Sequence, residues 1–108
     1  MSELNINYFY SDSGPERGGI ITTNKSLIEL KNVNDNPMEG FSLSEEDLSL
    51  LEEPCVLGTF HTHPGGSSNL SVSDYLTFKN YPRLQHYICG KDGIKCFITQ
   101  GGILVEKS

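Results

Sequence analysis

Tryptophan is absent from the 108 residues, and cysteine and histidine occur only three times each. Basic residues are also scarce: eight Lys and Arg against fourteen Asp and Glu leave a net charge of −6. That balance excludes the basic face a phosphate backbone demands, so neither nucleic acid nor an anionic membrane surface fits as a partner. No apolar run approaches the length of about 20 residues that a bilayer span requires. The start, "MSELNINYFY", lacks the basic and apolar regions of an export signal. An odd cysteine count without a CxxC pair argues against a disulfide framework. A reducing, cytoplasmic setting is therefore the expectation.

What is present fits one domain over residues 1–108. An apolar fraction of 36% suits a small globule, and a chain this long buries about two-thirds of its unfolded surface. The acidic residues Glu45, Glu46, Asp47, Glu52 and Glu53 cluster as a solvated helix surface would.

Local patterns divide the chain into short elements. "LNINYFY" alternates and is aromatic-rich, which predicts a strand. "GGIITT" and "SLIELKNV" predict two strands joined around Asn24-Lys25. Ser44, followed by Asp47 and "LSLL", predicts a capped helix that ends at Pro54. "CVLGTFHTH" is a mostly apolar run rich in strand formers, with Cys55 in the core. "SVSDYLTFKN" predicts a helix stopping before Pro82. "HYICG" and "IKCFIT" bracket Asp92-Gly93, a two-residue hairpin signal that would set Cys89 opposite Cys96. Those two read as reduced thiols filling a sheet face, and His86 as structural. "GGILVE" supplies a last edge strand. Strands interleaved with two helices predict a sheet covered by helices.

The chemistry concentrates in "GTFHTHPGGSSNLSVSD", Gly58 to Asp74. Strand residues two apart face the same side, about 6.6 Å apart, so His61 and His63 converge on one point. Pro64 ends the strand, and Gly65 and Gly66 let the chain swing back so that Asp74 reaches the same point. Two imidazoles and one carboxylate leave the fourth position of a tetrahedral zinc site open, as hydrolytic sites require. Ser71 is placed to steady an oxyanion, and Glu16, where a turn enters a strand beside Gly18 and Gly19, is the best candidate base. Ser71-x-x-Asp74 is also a capping box in its own right.

At these residues the sequence resembles the JAB/MPN family, the JAMM zinc metallopeptidases, in its short prokaryotic and phage form. "HTHPGGSSNLSVSD" fits the family's HxHP, Ser and Asp positions, and "GPERGGII" is similar to the stretch that carries its glutamate. "NDNPMEGFSLSEEDL" resembles a further segment of the short members. The resemblance implies a cytidine-deaminase-like fold, a mixed central sheet with helices on both sides. It implies one zinc per chain held by His61, His63 and Asp74, with Glu16 as proton carrier and Ser71 at the oxyanion. Glu29 is a second candidate for the base. The implied reaction is hydrolysis of a peptide or isopeptide bond in a polypeptide with a ubiquitin-like or sulfur-carrier-like C-terminal tail.

Other functions compete. Phage tail-assembly peptidases share the chemistry, and a silent MPN scaffold would generally lack the ligands present here. RadC proteins carry a similar motif, but the acidic balance disfavours nucleic acid. A zinc nucleoside deaminase needs H-x-E and P-C-x-x-C; His63 and "PCVLG" replace both.

Overall fold

The computed structural model describes residues 4–107. Six strands form one mixed sheet in the order β2-β1-β3-β4-β5-β6. They are β1 (Gly18–Thr22), β2 (Leu27–Leu30), β3 (Val56–Thr62), β4 (Gln85–Gly90), β5 (Gly93–Gln100) and β6 (Ile103–Lys107). Only β3 and β4 run parallel. A parallel pair needs a crossover, and α2 (Val72–Lys79) lies within it. The chain is thus α/β, with β2 and β6 at the edges.

The other helix, α1 (Glu45–Leu48), begins where Ser44 accepts the Asp47 N–H, and it continues as a 3-10 turn, Ser49–Glu52. The acidic first turn suits the positive helix end. Leu51 is the buried anchor of this segment, packed with Ile20, Val56 and Leu84. Arg83 ties it down by donating to the carbonyls of Leu51, Glu53 and Val56. On α2, Phe78 packs with Ile88 and Phe97. Both helices therefore lie on one sheet face.

The opposite face carries Ile21, Phe60 and Cys89, and Ile6 covers them. Here the expected strand over "LNINYFY" is corrected: Ile6–Phe9 form a 3-10 turn. Phe9 packs down onto the sheet, against Phe60 at 4.9 Å, while Tyr8 stays exposed. A 3-10 turn takes the place of the helix expected on this side.

Two further expectations are overturned. The β4–β5 hairpin turns at Lys91-Asp92, with Gly90 opposite Gly93. Gly93 takes a positive φ of 116°, and the Asp92 carboxylate accepts the Ser68 N–H at 2.8 Å. The register moves accordingly, so Cys89 faces Ile94 and Cys96 faces Tyr87. Cys55 is exposed, because it precedes β3 where the chain leaves the 3-10 turn.

Among the described residues no helix is long and apolar enough to cross a membrane.

Candidate metal centre

β3 ends at the site. His61 is buried on the helix-covered face, and His63, two residues on, points the same way. α2 delivers Asp74 from above. Its Oδ1 lies 3.1 Å from His61 Nε2, and its Oδ2 lies 3.2 Å from His63 Nε2. The two Nε2 atoms are themselves 3.1 Å apart. A tetrahedral zinc site with bonds of about 2.0–2.1 Å has ligand–ligand edges of about 3.3–3.4 Å. The two imidazole nitrogens sit close to that spacing, and each faces a different oxygen of Asp74.

The proton inventory points the same way. His63 Nδ1 lies 2.8 Å from the Ser67 carbonyl, which only accepts, so Nδ1 carries a hydrogen. In the neutral ring, Nε2 of His63 then offers a lone pair to the cluster. A neutral His61 then brings at most one proton to the three close contacts. A central cation, or a further proton, satisfies what the side chains leave open. An outer hydrogen bond that fixes a ligand's tautomer is usual at metal centres.

Electrostatics follow from this crowding. Burial works against the Asp74 carboxylate, yet hydrogen bonds from His61 and His63 hold its pKa well below the usual range. For His63, burial favours the neutral ring, but the hydrogen bonds to Asp74 and Ser67 outweigh it and raise the pKa.

Glu16 faces the same cluster. Its side chain places an oxygen within 4.8 Å of donor nitrogens on both His61 and His63. Residue 16 reaches this point because β1 pairs antiparallel with β3, setting Gly18 opposite His61. A Cβ on Gly18 would come within 2.7 Å of the His61 Cβ, so glycine is required for the approach. Burial pushes the Glu16 pKa up, against the pull of the two imidazoles, and no hydrogen bond contributes. A half-desolvated carboxyl of that kind is a natural proton carrier.

Ser71 caps α2. Its Oγ accepts the Asp74 N–H at 3.0 Å, and its own N–H donates to Asp74 Oδ2 at 3.1 Å. The capping box and the site are one structure: the cap orients the carboxylate that the histidines share. Ser71 Oγ keeps its own proton to donate, and the residue lines a cleft of about 410 Å³ together with Glu16, His63 and Asp74.

Glu29, the second candidate base, lies elsewhere. It pairs with Gly19, whose face is opposite that of Gly18 and His61. There it accepts two hydrogen bonds from Arg17, at 2.7 and 2.8 Å. His86 is structural as expected. Its Nε2 donates to the Tyr81 carbonyl, so Nδ1 accepts from Thr59 at 2.8 Å.

Two contributors escaped the sequence reading. Asn32 donates to the carbonyls of Glu16 and Gly40 and accepts from the amides of Asn34 and Ser42. It thereby holds the 32–42 loop against Glu16. Phe41, on that loop, stacks on His61 with ring centroids 6.0 Å apart. The signal nearest them was "NDNPMEGFSLSEEDL", a resemblance that gives neither residue a role.

No protein-family model matches the chain, and no curated protein matches it. Among solved structures it is similar to protein DSY2949 from Desulfitobacterium hafniense, a solution structure, with a TM-score of 0.60 at 21% identity. The match covers 87% of this chain and 76% of that one. At that identity the likeness speaks for the fold alone.

Proposed function

We propose that the chain is a zinc metallopeptidase of the JAB/MPN (JAMM) type, with the cytidine-deaminase-like fold of that family and a cytoplasmic setting. One observation carries the reading: the Nε2 atoms of His61 and His63 stand 3.1 Å apart, each against one oxygen of Asp74, beside a buried, raised-pKa Glu16. His61 Nε2, His63 Nε2 and a carboxylate oxygen of Asp74 would hold one zinc ion per chain. Bound there, zinc is a Lewis acid that acidifies water and polarises a carbonyl.

The residues divide the remaining work. Glu16 takes the proton from the attacking water as the oxygen bonds to the carbonyl carbon. It returns that proton to the amine nitrogen as the C–N bond breaks, so proton and electron pair balance. The Ser71 hydroxyl donates to the oxyanion that forms between the two steps. The 410 Å³ cleft gives an extended polypeptide access. The substrate is proposed to be a protein with a ubiquitin-like or sulfur-carrier-like C-terminal tail.

Elemental analysis of zinc-loaded, desalted protein tests the centre, with His63→Ala as control. About one zinc per chain, lost in the variant, is the expected result. No retained zinc in either protein overturns the proposal.

A further inference from the structure

Beside the donor cluster, the helix-covered face holds a second, smaller depression. Its volume is about 200 Å³, and it runs between the 41–43 segment, the 3-10 turn bearing Leu51, and α2. Phe41, Leu43, Leu51, Phe78 and Tyr81 give it apolar walls. Ser73 and Thr77, both exposed on α2, stand at its mouth. His61 and Asp74 line it too, and Phe41, Ser73 and Asp74 are shared with the larger cleft that contains Glu16. The two depressions meet at the donor cluster.

Size and charge restrict the occupant. An apolar cavity of about 150 Å³ admits a benzene ring, whereas sites for whole small molecules start at about 300 Å³. This one suits a single side chain. No Lys, Arg or Glu lines it. His86, at its floor, has both ring nitrogens engaged by Thr59 and Tyr81. Asp74 is held by two imidazoles and the Ser71 amide. An incoming carboxylate would be repelled by Asp74, and an ammonium would lose its hydration while competing with the two imidazoles for that carboxylate.

We infer that this pocket seats an uncharged, apolar side chain of leucine or phenylalanine size, from a residue flanking the bond the site cleaves. The inference rests on the peptidase reading for the ligand being a polypeptide. In a hydrophobic pocket even one methylene is worth about 10–200-fold, so glycine at that position forgoes most of the selectivity.

The test needs no turnover. Amide NMR spectra of the whole chain, metal-free and zinc-loaded, are followed while N-acetyl-L-leucinamide, N-acetylglycinamide or N-acetyl-L-lysinamide is added. The leucine compound is expected to shift the amides of Leu43, Leu51 and Thr77, saturating at least about tenfold more tightly than the glycine compound. The lysine compound is expected to leave them in place. Thr77→Trp, folded by the dispersion of its other amides, should lose the leucine response, and Thr77→Ala should keep it. Equal responses to all three compounds, or a leucine response confined to Met38, Gly40 and Asn69 around the larger cleft, would overturn the inference. A chain that retains zinc and cleaves peptides but ignores the leucine compound refutes the pocket alone. Leucine binding without zinc uptake removes the peptidase reading and the cleaved bond with it, and leaves only the apolar side-chain pocket standing.

Discussion

His86 and His61 stand on neighbouring strands and face the same side of the sheet, yet their surroundings have opposite logic. His86 has one partner for each ring nitrogen, a hydroxyl that donates and a carbonyl that accepts. Phe78 stacks on it at 4.1 Å. Its hydrogen-bonding capacity is filled, and burial drops its pKa to about 4. His61 instead shares a small volume with His63, Asp74 and Glu16, and these groups offer more lone pairs than protons. A filled set of partners makes a histidine part of the core. A surplus of converging acceptors makes it part of a site that a cation or a further proton would complete.

The sharpest way to break this contrast is at Glu16, which belongs to the surplus and which the proposed mechanism makes a proton carrier, not a ligand. Glu16→Gln should lower kcat by about 10²–10⁴-fold while zinc per chain, measured by elemental analysis, stays unchanged. Full activity in that variant would assign the proton transfer to another group. Asp74→Asn acts on the holding itself. Since outer-shell partners already account for about 10–100-fold in metal affinity, losing a ligand charge should weaken zinc binding at least about a hundredfold in a chelator competition. Unchanged affinity would reduce Asp74 to a helix cap.

His86 tests the other side. Its folded pKa lies below the ordinary 6.5, so the unfolded chain binds the proton more readily. The contribution to stability is complete above the unfolded pKa and is lost as pH falls from 6.5 towards 4. Between pH 7 and pH 5 that amounts to about 2 kcal/mol, read from urea midpoints of the metal-free protein. His86→Gln should flatten that slope, and an unaltered slope would refute the assignment. The smallest effect belongs to Glu29→Ala. Its half-exposed pair with Arg17 is worth about 0–1 kcal/mol, and zinc retention should not change; a loss of hydrolysis there would move the base to the other face.

Much of this contrast was legible before any coordinates. HxH in a strand puts both imidazoles on one face because side chains alternate, and Ser71-x-x-Asp74 declares a helix start whose carboxylate points back along the chain. His86 read as structural because it begins a strand with no partner pattern around it in the sequence. Misreadings arose where a short pattern fits two outcomes. The alternating "LNINYFY" serves a strand or a turn laid flat on the sheet, and packing of Ile6 and Phe9 against Phe60 decided between them. Asp92-Gly93 signals a tight turn, but the Ser68 amide captures Asp92 and the turn falls one residue earlier.

The sequence by itself determined the elements, the paired histidines and the cap, because each depends on rules that reach only a few residues along the chain. Tertiary structure decided which carboxylate joins them. Glu16 and Glu29 both adjoin the glycine-rich start of β1, and pairing register decides between them: Gly18 against His61 turns Glu16 inward, and Gly19 against Glu29 turns the other away. The Asn32 hub and the apolar pocket were decided in the same way. They unite segments far apart in sequence, and pairing register and side-chain packing fix such meetings where local propensity does not.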